Sequence, residues 1–176
     1  MLNFAKTPDK HSSVIAFGLK EIGPYYWVGN CKNGVDYYAG QTFRAPADGI
    51  LKRIKLFSSI VFGPSDATLS VYEFDAATHT WKEKRAETTR PVTKASENQW
   101  INFDLPDLRV KKDRQYAFKV SCKGGGMLAI AECPWNVQNP YAEGEEWIGS
   151  SYYQEGNFHK DFDIAFEGEI EASGNA

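Results

Sequence analysis

The residues best suited to chemistry in this chain sit late, between Trp135 and His159. Trp135, Tyr141 and Trp147 offer flat rings on which the C–H face of a sugar can stack. Asn136, Asn139 and Glu143 offer hydrogen-bond partners for hydroxyls, and Glu145, Glu146, Tyr152, Tyr153, Phe158 and His159 continue the mixture. Rings held in a rigid loop lose little entropy on binding. The pattern predicts a non-catalytic binding surface of a carbohydrate-binding kind. Each ring also has a plainer use, which is to cap the end of a hydrophobic core with its polar tip in water. A second group, Tyr25-Tyr26-Trp27 with Tyr37-Tyr38 near Asn30 and Asn33, is either a strand pair packing on the sandwich or part of the same surface, with packing favoured.

Metal chemistry is suggested at one place. Asp161 and Asp163 are spaced to share one face at the start of the last strand, and Asp36 precedes an early one. Hard oxygen ligands of this kind suit a structural Ca²⁺, and no other cofactor is expected. His11, His79 and His159 lack the spacing of a transition-metal site. Catalysis has little to build on. There is no Gly-x-Ser-x-Gly elbow, and Gly124-Gly125-Gly126 lacks the Lys-Ser/Thr of a phosphate loop. Glu167, Glu169 and Glu171 share one strand face and would be the first suspects for glycoside hydrolysis. With no ring among them, they read as a solubilising outer face. The expectation is therefore no catalytic residue and no enzyme.

The elements that must carry these groups follow a period of two. Ile101, Phe103 and Leu105 alternate with Asn102 and Asp104, while Phe162, Ile164, Phe166 and Ile170 share one parity, as do Ile50, Ile54 and Leu56. Such alternation describes strands with one buried face. Turn signals separate them at Ala45–Gly49, Gly63–Asp66, Leu105-Pro106-Asp107 and the triple glycine. Strands are predicted near 13–18, 25–29, 40–45, 50–60, 67–75, 79–90, 98–105, 114–123, 127–133, 146–153 and 161–171. No stretch keeps a helical period. So many short strands in one unit predict an all-β, two-sheet antiparallel β-sandwich of jelly-roll type. The expected organisation is N-terminal strands (1–37) packing on a sandwich (38–171), then a frayed tail (172–176).

One stretch resembles a known family. It runs from Gln41-Thr42-Phe43-Arg44-Ala45-Pro46-Ala47-Asp48-Gly49-Ile50-Leu51 through Asn139-Pro140-Tyr141-Ala142-Glu143-Gly144 to Asp163-Ile164-Ala165-Phe166. These segments resemble the jelly-roll modules, carbohydrate-binding and galactose-binding-like, of bacterial surface and secreted proteins. The resemblance spans about residues 38–167. It implies a β-sandwich scaffold, a glycan ligand and one structural calcium.

Composition bounds the partners. The 176 residues carry 20 Lys+Arg against 23 Asp+Glu, a net of −3, which excludes a generally basic nucleic-acid binder. No apolar run approaches the ~20 residues of a membrane span. The opening apolar run, Val14–Phe17, is too short for a secretory signal, so the chain as given reads as cytoplasmic. Cys31, Cys122 and Cys133 have no pairing pattern and read as reduced, packed thiols. Partners are then a carbohydrate or another protein. The surplus of aromatic side chains, 14% of the chain, also suits an interface. That gives the alternative reading, a structural or assembly subunit of an oligomer or larger particle.

Overall fold

A computed structural model describes residues 12–30 and 32–173. Residues 1–10, His11, Cys31 and the last three residues of the expected tail lie outside the described residues. In chain order the elements are β1 (Val14–Leu19), β2 (Tyr25–Asn30), β3 (Asp36–Arg44), β4 (Gly49–Phe62), β5 (Ser65–Asp75) and β6 (Thr80–Val92). A short 3-10 turn (Lys94–Ser96) precedes β7 (Gln99–Val110), β8 (Gln115–Lys123), β9 (Met127–Ala131), β10 (Glu146–Ser150), β11 (Asn157–His159) and β12 (Phe166–Ala172). No helix among the described residues is long and apolar enough to cross a membrane.

All pairings between strands are antiparallel, and they form one hydrogen-bonded sheet that curls into two layers. One layer runs β1-β12-β4-β7 and the other runs β11-β10-β3-β8-β5-β6. Strands β9 and β2 join the layers, because β9 pairs with the far half of β4 and with β2, and β2 reaches the start of β3. The chain is thus an antiparallel β-sandwich of jelly-roll type. Segments β1 and β2 are hydrogen-bonded members of the sheet, and β1 pairs along its whole length with β12.

The core lies between the layers. Phe43 on β3 and Phe118 on β8 meet Phe166 of the opposite layer at 6.4 and 5.6 Å between ring centres. Leu51, Ile54, Leu56, Leu69, Val71, Val120 and Leu128 fill the space around them and are fully buried. Each such side chain contributes about 1.5–3 kcal/mol by leaving water.

The strand boundaries shift where backbone irregularity intervenes. On β4 the register against β7 jumps between Leu51 and Arg53, so Leu51 takes the core position expected of Ile50. Opposite that jump lies Leu105-Pro106-Asp107, which is a bulge within β7 and not the turn its sequence suggests. Proline has no N–H to give a ladder, and a bulge is where a strand tolerates it. The expected strand at 146–153 stops at Ser150 as β10, and β11 forms separately at Asn157–His159. The expected strand at 161–171 begins only at Phe166, because residues 162–165 are drawn onto Cys133, Ala131 and Gln41.

Candidate functional site

The structure separates the residues that the sequence groups together. Trp135 stands at the surface, 64% exposed, with its edge on Phe162 and its Nε1 donating to Glu132 Oε2 at 3.0 Å. Tyr141 turns inward and packs edge-on against Phe166 at 5.2 Å, and burial pushes its phenol pKa up. Trp147 is 1% exposed, so it offers no face to a sugar. The cause is local. Trp147 lies opposite Gly40 on the outer face of β3, where the missing side chain leaves room for an indole. Trp81 and Phe158 cover it, and its Nε1 donates to the Glu155 carbonyl at 2.9 Å. Asn136 and Asn139 are exposed on the loop after Trp135, and Glu143 pairs with Arg44 at 2.8 Å. Of the three rings only Trp135 is open to solvent, while Tyr141 and Trp147 are packed against other rings.

The acids named for calcium take three different settings. Asp163 is buried, and its two oxygens accept from Gln41 Nε2 at 2.7 Å and the Tyr141 N–H at 2.9 Å. Gln41 Oε1 in turn accepts from the Ile164 N–H at 2.9 Å. This network clamps the 141 loop and the approach to β12 onto β3. Burial, partly offset by those donors, lifts the Asp163 carboxyl to about 7. Asp161 faces solvent, and Asp36 accepts from Asn30 Nδ2. Among the described residues no three or more His, Cys, Asp or Glu side chains gather as a metal site.

The carboxylates of β12 are not a free outer face. Glu167 is buried and pairs with Lys20 and Lys55, Glu169 with Lys55 and Arg53, and Glu171 with Lys52. They tie β12 to β4. The thiols Cys122 and Cys133 are free and buried, and burial raises them to about 11 and about 12, which leaves them unreactive.

An open hollow forms instead at the early aromatic group. Tyr25, Tyr26 and Trp27 of β2 line it with Tyr37 of β3, Phe62 at the end of β4, and Met127 and Gly125 at the turn into β9. Its volume is about 730 Å³, and its walls are predominantly apolar. Tyr25 and Phe62 are 45% and 63% exposed. Alternation puts Tyr25 and Trp27 on one face, where they meet edge to face at 5.7 Å. Tyr26 points to the other face and also packs on the core.

The amides at the rim are already engaged. Asn30 accepts from the Lys32 N–H at 2.9 Å and donates to Asp36. Asn33 accepts from the Val35 N–H at 3.0 Å and donates to the Tyr37 hydroxyl. They shape the β2–β3 turn and with it the position of Tyr37. Behind Tyr26 sits a buried carboxyl pair, Glu132 and Glu146. Burial first, then the charge of Glu132, lifts Glu146 to about 9. Burial and these neighbours, together with Tyr37, also raise the Tyr26 phenol.

From sequence, the Tyr25–Trp27 group reads as strand packing or as part of the same binding surface, with packing favoured. Three consecutive rings on a strand, however, must put at least one on each face. Phe62 and Met127 had no sequence signal, because their part in the hollow depends on how β4 and β9 end beside β2.

No family model matches the chain, and no curated protein matches it. Two solved structures of infectious bursal disease virus, from the Gx and Gt strains, cover 98% and 99% of this chain with TM-scores of 0.31 and 0.29 at 9% and 11% identity. The D431N mutant VP2 protein of the same virus, in T=1 particles, covers 99% with a TM-score of 0.28 at 12% identity. This chain spans 41–45% of the length of those three. Likeness at this level assigns no residue and no activity here.

Proposed function

We propose that this protein is a non-catalytic assembly subunit whose Tyr25–Phe62 hollow receives an apolar projection from a second copy of the chain. The observation that carries the reading is the hollow itself, with exposed rings and rim amides already committed to the turn. A sugar needs partners for its hydroxyls, and an unpaired polar group in a closed contact costs about 1–3 kcal/mol. An apolar protein surface makes no such demand, and Tyr, Trp and Met are enriched in interface centres.

The projection is the loop bearing Trp135 and Val137, 64% and 41% exposed. It belongs to the acidic part of the chain, since residues 132–176 hold ten carboxylates and one lysine. Asp161, exposed and next to the Phe162 ring that Trp135 touches, carries a charge opposite to that of Lys32 on the rim of the hollow. Donor and acceptor patches differ, which makes the contact head-to-tail and open to rings or filaments.

Sedimentation velocity tests this. The native protein should show concentration-dependent species above the monomer. Phe62→Asp and Trp135→Ser should each be monomeric alone and should form a dimer when mixed, because each keeps one intact half. A native protein that stays monomeric, or variants that do not complement, would refute the reading.

A further inference from the structure

A second hollow, on the outer face of the β3–β8–β5 layer, holds an unusual cation. Lys119 on β8 lies between Gly40 and Ser70 of its neighbours, and the Trp147 indole lies over Gly40 beside it. Its Nζ lies 4.3 Å from the centre of the Tyr38 ring and 5.5 Å from that of Trp147. No carboxylate pairs with it among the described residues, whereas Lys82 and Lys84 on β6 of the same layer pair with Asp75 and Glu87. The hollow measures about 240 Å³ and is bounded by Tyr72, Trp81, Lys119, Trp147 and Gln154. Burial lowers the pKa of this amine, so the charged form is short of solvation.

The geometry points to a binding site for a small, flat carboxylate, with the carboxylate on Lys119 Nζ and the aromatic body against Tyr72 and Trp81. An anion supplies the counter-charge that the fold withholds. Trp81 meets Tyr72 and Trp147 edge to face at 5.3 and 5.1 Å, so the rings form a corner against which a planar body can lie. The polar side-chain groups of the lining are the Lys119 amine, the Gln154 amide, the Tyr72 hydroxyl and the Trp81 N–H, the Trp147 N–H being held by the Glu155 carbonyl. The volume lies below the ~300 Å³ at which pockets for drug-sized molecules begin, so the ligand is one or two rings in size. This site is separate from the Tyr25–Phe62 hollow and stands or falls independently of it.

Indole-3-carboxylate is a suitable probe, with indole-3-carboxamide as its neutral counterpart. The readout is the indole N–H resonances of Trp81 and Trp147 during titration. The carboxylate should shift both saturably. The carboxamide on the native protein, and the carboxylate on Lys119→Met, should each bind at least about tenfold more weakly, the loss expected for one charge-assisted contact. Lys119→Arg should retain binding, and so should Phe62→Asp, which alters only the other hollow. Equal binding of acid and amide, binding unchanged in Lys119→Met, or no saturable shift at about 10 mM probe would overturn the proposal.

Discussion

Glu146 is 1% exposed, and its Oε2 has no hydrogen-bond partner among the described residues. Glu132 beside it is 5% exposed. Two like charges cannot both be held in so dry a place, so the pair retains a proton at neutral pH. The Glu146 carboxyl is raised from 4.5 to about 9, which means the folded state keeps a proton that the unfolded chain releases. The stabilisation is therefore fully present below the unfolded value and is lost as pH rises toward the folded one. One proton of difference gives a slope of about 1.4 kcal/mol per pH unit, so the native protein should lose about 2–3 kcal/mol between about pH 6 and pH 8 through this pair. Glu146→Gln mimics the neutral acid and can donate its amide to Glu132. It should match the native protein at about pH 5 and exceed it by about 2 kcal/mol or more at about pH 8.

Urea unfolding at several pH values, with constant m, measures this difference. Asp163, raised to about 7, adds a slope of the same sign, but it is common to both proteins. Staying below about pH 8.5 avoids the thiols Cys122 and Cys133, whose unfolded forms begin to ionise there. If the two proteins lose stability in parallel across this window, the shared-proton account is wrong.

Other substitutions test the packing. Trp147→Ala should cost about 3–5 kcal/mol in chemical denaturation, the range for a buried aromatic, where an exposed sugar platform would cost almost nothing. Gly144→Ala should destabilise strongly and lower the thermal midpoint, since an added Cβ would sit 1.8 Å from the Thr42 carbonyl oxygen. Gln41→Leu removes the partners of Asp163 and of the Ile164 N–H, and should cost about 1–3 kcal/mol for each group left unpaired. Hydrogen exchange should then rise first in the 141 loop.

What the sequence reveals of the fold is what period two encodes. Ile101, Phe103 and Leu105 on β7 face inward as their alternation says. Ile50 does not, because the bulge opposite Pro106 moves Leu51 into its place, and a register shift leaves no mark on hydropathy alone. The binding residues were harder to read for a related reason. Trp135, Tyr141 and Trp147 are close in sequence, yet the first follows β9, the second is held by the Asp163 clamp and the third lies on β10. Nearness along a strand-rich chain says little about a shared face. By contrast, Phe62 is far in sequence from Tyr25 and Tyr37 and joins them because β9 and β2 bridge the layers.

The polar groups of this molecule point to the same functional conclusion by where they are engaged. Asn30 and Asn33 hold the β2–β3 turn, Gln41 and Asp163 hold the 141 loop, and the Thr42 hydroxyl accepts from the Glu145 N–H. Glu145 in turn meets His79, and Glu143 meets Arg44. Of the polar groups that the sequence offers as sugar contacts, Glu143 and Glu145 are thus engaged within the sandwich, while Asn136 and Asn139 stay exposed. Large side chains that remain open include Tyr25, Phe62, Trp135 and Val137, which gain by leaving water and need no hydrogen-bond partner to do so, the two tyrosyl and indole tips excepted. Trp135 has its N–H already on Glu132. Its ring can therefore enter an apolar hollow without stranding a donor, which is the property a docking projection requires and a sugar platform does not.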